Sequence, residues 1–222
     1  MLPAKLLKTK LNNLFDNENL IQKKIYGIIL SAGLSGRMEM YKPLANYKGR
    51  TFLNNIIIKL DKICNKIIIV TGFKSDDLKT ATIKSLNDDN RSALLKKIKF
   101  VLNDSFQNGM FTSLQKGISE AKNCNWILYH FVDQPGLPEN FYLDFIKQTD
   151  SNHNWIQPVN KGQKGHPILL GKELFYLIAN SSKDFNLREI SKSPEVKKKY
   201  WECNYKEIFQ DIDTEDDYSK VQ

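Results

Sequence analysis

Apolar residues change their spacing along this chain in a regular way. Four short runs are dense in Ile, Val and Leu: KIYGIIL (24–30), NKIIIVTGF (65–73), KIKFVLND (97–104) and WILYHFVD (126–133). Each reads as a strand buried on both faces. Between and after them the apolar positions recur at helical spacing. TFLNNIIIKLDKI (51–63) has Thr51 as its cap, and SDDLKTATIKSLN (75–87) opens with a cap-and-acid pattern. MFTSLQKGISEAK (110–122) and LPENFYLDFIKQTD (137–150) follow, the latter with Pro138 in its first turn. Strand–helix alternation of this kind predicts an α/β domain with a mostly parallel sheet covered on both faces.

After residue 150 the rhythm changes. NWIQPVNKGQKGHPILL (154–170) reads as two strands around a glycine-containing loop, and KKKYWECN (197–204) and EIFQDID (207–213) read as short strands, a late antiparallel excursion. At the other end, Leu6, Leu7, Leu11 and Leu14 recur at helical spacing. Residues 1–23 are therefore expected to form an amphipathic helical extension, and 24–222 a single domain. The extension has no continuous apolar stretch and no small-residue cleavage site, so it does not read as a signal peptide. No apolar run approaches the length needed to cross a bilayer.

Composition narrows the function classes. The chain has 222 residues, 41% of them hydrophobic and 26% charged, with a net charge of +8, which is ordinary for a globular domain. Its lysines are scattered rather than gathered into a stripe with interleaved aromatics, so the surplus charge points to anionic small molecules and not to nucleic acid. Cys64, Cys124 and Cys203 are far apart and form no CxxC pair. That excludes a thiolate zinc framework and suits a reducing, cytoplasmic setting without membrane partners.

Ligands of open parallel sheets bind beyond the carboxyl ends of the strands, and four segments there carry chemistry. The first strand leaves through Leu30-Ser31-Ala32-Gly33, followed by Gly36, Arg37 and Lys42. Glycines allow close approach of the backbone to a phosphate, and the cations supply its partners. This is neither a P-loop nor a GxGxxG fingerprint. The third strand leaves through NDSFQNGMFTSLQKG (103–117), where Asn103 and Ser105 are short polar groups and Gly109, Thr112 and Ser113 open a helix. The fourth ends in Asp133, followed by Gln134 and Pro135. A carboxylate there needs a cation or donors and suits Mg²⁺. Lastly, Asp211 and Asp213 alternate on an expected strand and so share a face with the means to complete a metal site with Asp133. Thr214 caps a helix begun by Glu215, Asp216 and Asp217. His130 and His153 read as ordinary structural residues, while His166, between Gly165 and Pro167, opens a strand.

Together and in this order, these segments resemble a known family. LSAGLSGRM…K is similar to the LxAGxSxRMGxxK signature of the nucleotidyltransferases of molybdenum cofactor synthesis. NDSFQNGMFTSL, VDQPGLP, GHPILL and DIDTEDD resemble the successive blocks of its cytidylyltransferase branch. The resemblance covers about residues 25–220 and implies a three-layer α/β/α, Rossmann-like nucleotidyltransferase fold. It implies transfer of a nucleotide, CMP from CTP first, onto the phosphate of a molybdopterin-type acceptor with Mg²⁺ as cofactor. A molybdoenzyme or cofactor chaperone is the protein partner it admits. Leu30, Ser31, Ala32, Gly33, Gly36, Arg37 and Lys42 would then hold the triphosphate. Gly72, Asn103 and Ser113 would line the nucleotide pocket, and Asp133, with Asp211 or Asp213, would bind the metal. Arg37, Lys42 and Asp133 would be catalytic, and Gln134, Gly165, His166 and Pro167 would face the acceptor. The chain departs from the signature at Glu39, where the family usually has glycine. A guanylyltransferase, a transferase for a phospho-sugar or phospho-alcohol, and a silent nucleotide- or cofactor-binding chaperone remain open at this point.

Overall fold

The computed structural model describes residues 23–34, 36, 38 and 40–221. The helix expected over 1–23 therefore lies outside the described residues except for Lys23, and Arg37 and Glu39 lie outside them too.

Chain order is β1 (Ile25–Ser31), the short hairpin β2 (Asn46–Tyr47) and β3 (Arg50–Thr51), α1 (Phe52–Leu60), β4 (Lys66–Thr71), α2 (Ser75–Asp88), β5 (Ile98–Leu102), α3 (Met110–Glu120) and β6 (Trp126–Phe131). There follow α4 (Glu139–Ile146), β7 (Trp155–Asn160), β8 (Gln163–Lys164), β9 (Ile168–Gly171), α5 (Phe175–Asn180), α6 (Leu187–Ile190), β10 (Lys198–Glu202) and α7 (Glu215–Ser219). The sheet runs β10-β7-β9-β6-β1-β4-β5, with β8 paired to β7. β1 pairs parallel with β4 and β6, and β4 with β5. The late excursion is β9, antiparallel to both β6 and β7.

Alternation within each strand divides the core in two. Ile25 and Ile29 of β1, Ile67 and Ile69 of β4, and Trp126 and Leu128 of β6 pack beneath α1, α2 and α4. Ile28, Leu30, Ile68, Val70, Ile127 and Tyr129 pack against α3 and the helices after β9. This is the three-layer α/β/α arrangement expected for strands without a polar face. Close approach of α3 to the sheet depends on Gly117, where a Cβ would lie 2.8 Å from Ile28 Cγ2.

Capping follows the sequence with two adjustments. Thr51 Oγ1 accepts from Asn54 N at 3.1 Å and starts α1. α2 has the expected acids Asp76 and Asp77 in its first turn, but its N-cap is Lys74 in the left-handed region, and Ser75 shares its hydroxyl with Thr71. Pro138 is the N-cap of α4 rather than a first-turn residue. One expected strand is absent. Within 207–213 the backbone forms a 3-10 turn, Lys206–Phe209, and then runs without a ladder. Its alternating apolar residues, Ile208 and Ile212, are both buried. They are anchored by isolated hydrogen bonds to loops, so Asp211 and Asp213 do not share a strand face.

Candidate active site

The connections run from β1 to β4 to β5 on one side, then cross back to β6 on the other side of β1. The seam between β1 and β6 is thus the topological switch point, and the crevice beyond its carboxyl end is where such sheets place a ligand. A cleft of about 500 Å³ lies there. Leu30, Ser31, Ala32, Gly33, Gly36, Lys42, Ser113, Asp133 and Asp213 all line it, so the structure gathers these expected residues from four separate stretches. At Gly33 and at Gly36 an added Cβ would meet no described residue within 4 Å, which leaves an open cradle beside the backbone.

Lys42 opens the 3-10 turn Lys42–Leu44. The preceding Tyr41 pins this turn, its hydroxyl donating to Phe73 O at 2.7 Å. Lys42 Nζ forms an ion pair with Asp213 although only 8% of the residue is exposed. Asp213 is itself fixed from both sides. Ile212 N donates to Asp133 O at 2.9 Å, and Asp213 N donates to Asp217 Oδ2 at 3.2 Å. Asp217 completes a capping box with Thr214, as the sequence pattern indicated.

Asp133 has an unusual environment. Its Oδ1 is buried and has no hydrogen-bond partner among the described residues. Burial, then the charge of Asp211, pushes its carboxyl up to about 7; Lys42 opposes this and Asp213 adds to it. A carboxylate held this way is short of positive charge, which a divalent cation would supply.

The opposite wall, which includes Ser113, is braced from behind by Asn103. Its Nδ2 donates to Thr112 Oγ1 at 3.0 Å and Ser113 Oγ at 2.9 Å, and its Oδ1 accepts from Ser105 N. That network fixes the start of α3, where Gly109, at φ 101°, makes a turn closed to other residues. Gly72 lies behind the wall, where its missing Cβ admits the ring of Phe106 and the carbonyl of Ala32.

Other expected site residues are placed differently. Gln134 is buried, with 1% exposure. Its Nε2 donates to Asp211 Oδ1 at 2.8 Å and to Ile208 O at 3.2 Å, so it ties the fourth strand's loop to the C-terminal segment. Asp211 is thereby drawn away from the cleft lining. Among the described residues no three His, Cys, Asp or Glu side chains converge as a metal-binding group; of the two aspartates expected to join Asp133, Asp213 lines the cleft with it. Gly165 packs under Ile208, with a built Cβ at 2.6 Å. His166 N donates to Ile208 O at 3.1 Å. The His166 ring lies 4.7 Å from that of Phe131. His166–Pro167 is a cis peptide. His130 and His153 have the structural roles expected. Tyr142 OH meets His130 Nε2 at 2.8 Å, and His153 pairs with Asp150.

A family model described as the MobA-like NTP transferase domain matches residues 27–198. The chain belongs to this family. It is a nucleotidyltransferase, consistent with a cleft at the β1–β6 seam of a parallel sheet. The chain is 28% identical over 193 residues to the molybdenum cofactor cytidylyltransferase of Escherichia coli, covering 86% of this chain and 92% of the relative. A protein named "Probable molybdenum cofactor guanylyltransferase" from Bacillus cytotoxicus is 24% identical over 149 residues, covering 66% and 67%. A structure from Mycobacterium tuberculosis solved with manganese shares the fold, with a TM-score of 0.63 at 18% identity over 90% of this chain and 98% of its own. Among the described residues no helix is long and apolar enough to cross a membrane.

Several members of the transferase cleft escaped the sequence argument. Pro43, Phe106, Met110, Phe131 and Val132 all line it. They are apolar and belong to runs that look like core or helix. The one available signal is Met110, which starts α3 yet is 65% exposed, and exposure is not written in sequence.

Proposed function

We propose that the protein transfers CMP from CTP to the phosphate of molybdopterin, or of its molybdenum form, releasing pyrophosphate with Mg²⁺ as cofactor. One observation carries this reading. Lys42, paired with Asp213, and Asp133, with an unbonded buried oxygen, share the cleft beneath the open glycine cradle. Preference for cytidylyl transfer comes from the Escherichia coli relative, which aligns over nearly its whole length. Guanylyl transfer is the second reading, favoured by the Bacillus relatives.

In the reaction an acceptor phosphate oxygen bonds to the α-phosphorus of the nucleotide as the bond to the bridging oxygen breaks, and the electron pair leaves with pyrophosphate. A phosphate monoester is already anionic at neutral pH, so no residue has to abstract a proton. The work of the chain is alignment and charge neutralisation. Lys42 Nζ sets a positive charge in the cleft. Asn103 holds Thr112 and Ser113, which fixes the amide-rich start of α3 against the nucleotide. Asp133 and Asp213 are the residues that would hold Mg²⁺, which when bound offsets phosphate charge.

Thermal unfolding with CTP, GTP, UTP or ATP, each with and without Mg²⁺, tests the nucleotide half of this reading. Ligand at a hundred times its Kd adds about 2.7 kcal/mol, which should raise Tm by roughly 5–10 °C for a domain of this size. A shift with CTP that needs Mg²⁺ is the expected result. Selectivity for GTP moves the assignment to guanylyl transfer, and no shift with any nucleotide overturns it.

A further inference from the structure

Two lysines of α1, Lys59 and Lys62, lie three positions apart and both reach the chain that follows β6. They end differently. Lys62 Nζ meets the carboxylate of Glu139 in α4 at 2.5 Å. Lys59 Nζ donates to the carbonyl of Pro135 at 2.6 Å, and no carboxylate among the described residues pairs with it. Lys59 is half-buried. Burial, then the charge of Lys48, pushes its ammonium down to about 8, and Glu139 opposes them. A cation held in this way costs stability, and an apolar side chain of the same length would fill the place without that cost. Stability therefore gives no reason for a lysine here. The carbonyl it holds does.

Pro135 lies two residues beyond Asp133, in the loop 132–138 between β6 and α4. Two prolines without an N–H leave this loop few backbone donors, so its carbonyls and side chains have to fix it. Asp133 O and the side chain of Gln134 bond to the C-terminal residues 208–212. Lys59 supplies a tie on the other side, to a helix whose Phe52, Leu53, Ile56, Ile57 and Leu60 have 0% exposure. The tie matters to the carboxylate because Asp133 Oδ1 has no hydrogen-bond partner among the described residues. The place of that oxygen depends on the backbone that carries it. The charges that act on the Asp133 carboxyl are those of Asp211, Lys42 and Asp213. Lys59 is not among them, so it acts through the loop and not through its field.

We propose that Lys59 is a positioning residue for the transfer reaction: its bond to the Pro135 carbonyl sets how far Asp133 reaches into the cleft, and with it the divalent-cation site. This role deepens the reading of Asp133 given above and rests on it. A misplacement of about 1 Å, caused well away from the chemistry, is enough to slow a reaction about a hundredfold. Rigid support behind a ligand is what keeps such a site in register.

Three full-length proteins test it: wild type, Lys59→Met, which removes the donor and keeps the length, and Lys59→Arg, which keeps charge and donors. Mn²⁺ binding with saturating CTP, followed by the EPR signal of the free ion, reads the metal site without an acceptor. Lys59→Met should bind Mn²⁺ about tenfold more weakly, as loss of a ligand's outer support does. It should bind metal-free CTP as wild type does, and its Tm at pH 7 in EDTA should be no lower than wild type. With CTP and molybdopterin its kcat should fall at least about tenfold while KM for CTP holds. Lys59→Arg should recover most of both losses. A lowered Tm in Lys59→Met makes the tie structural and overturns the proposal, as does unchanged Mn²⁺ affinity or wild-type kcat. Wild type that binds no Mn²⁺ overturns the metal reading of Asp133 and this role with it. Wild type that binds Mn²⁺ and CTP but forms no CMP ester overturns the proposed reaction alone and leaves Lys59 in support of the metal site.

Discussion

Lys42 and Asp213 lie 171 positions apart and form an ion pair inside the cleft. Their side chains are 11% and 29% exposed, so each charge depends on the other more than a surface pair would. Asp213→Ala should cost about 2–3 kcal/mol, read as a lowered urea midpoint. Lys42→Ala/Asp213→Ala should be less destabilised than the two single losses summed, with a coupling of about 1–3 kcal/mol. Additive losses would mean the pair contributes nothing. In the same set, Lys42→Ala should weaken CTP at least tenfold and CMP by much less.

Asp133 is expected to trade stability for activity. Its carboxyl is raised to about 7 in the folded chain against an ordinary 3.8. The folded state therefore holds a proton that the unfolded state releases. The associated stability is fully present below about pH 4 and is lost as pH rises through 7. Asp133→Asn, measured with EDTA present, should have a higher Tm than wild type at pH 8, and the gap should close toward pH 4. Turnover of the variant should fall at least a hundredfold. An active variant, or one no more stable at pH 8, contradicts the role given to this carboxylate.

Two glycines separate binding from packing. Gly33→Ala adds a methyl where no described residue lies within 4 Å, so Tm should stay within 1 °C while CTP affinity drops at least tenfold if the cradle closes on phosphate. Gly72→Ala puts a methyl 2.7 Å from Phe106 and 2.8 Å from the carbonyl of Ala32. It should cost about 1–3 kcal/mol as well as nucleotide affinity. Calorimetry of both variants with and without CTP separates the two effects; a Gly33→Ala protein that binds CTP normally would remove the cradle from the argument.

Tyr142→Phe is the structural counterpart. It removes the hydroxyl that meets His130 Nε2 at 2.8 Å and leaves a buried imidazole nitrogen without a partner. A loss of about 1–3 kcal/mol follows, with kcat and KM within twofold of wild type. A large kinetic effect would show that the His130 pair reaches the reaction.

Much of this was legible in the chain because the central strands are buried on both faces and announce themselves as β-branched runs. β1, β4, β5 and β6 were placed to within a few residues, and with them the seam whose cleft Gly33 and Asp133 both line. Thr51 and Thr214 signalled their helices through local hydrogen bonds that need no tertiary partner. The segment 207–213 failed for the converse reason. Ile208 and Ile212 alternate with polar residues as a strand's would, yet their backbone partners are single groups on distant loops. Sequence does not distinguish an anchored irregular segment from a ladder. The partners of Gln134 are hidden for the same reason, since Asp211 and Ile208 are more than seventy positions away. The hairpin turn at Lys48 and Gly49, both at positive φ, was a readable signal that the strand–helix rhythm obscured.

The segment from Ile208 to Asp213 belongs to no strand. It is stitched to the rest by Ile208 O to His166 N and Gln134 Nε2, by Asp211 Oδ1 to Gln134 Nε2, by Ile212 N to Asp133 O, and by the Lys42 pair. Ile208 and Ile212 are buried in the core beneath it, so the segment opens only if both side chains leave the core together. It bonds the loop of Asp133 and the turn that leads into β9. The amides of Ile212 and His166 would then exchange with solvent together and ahead of those in β1.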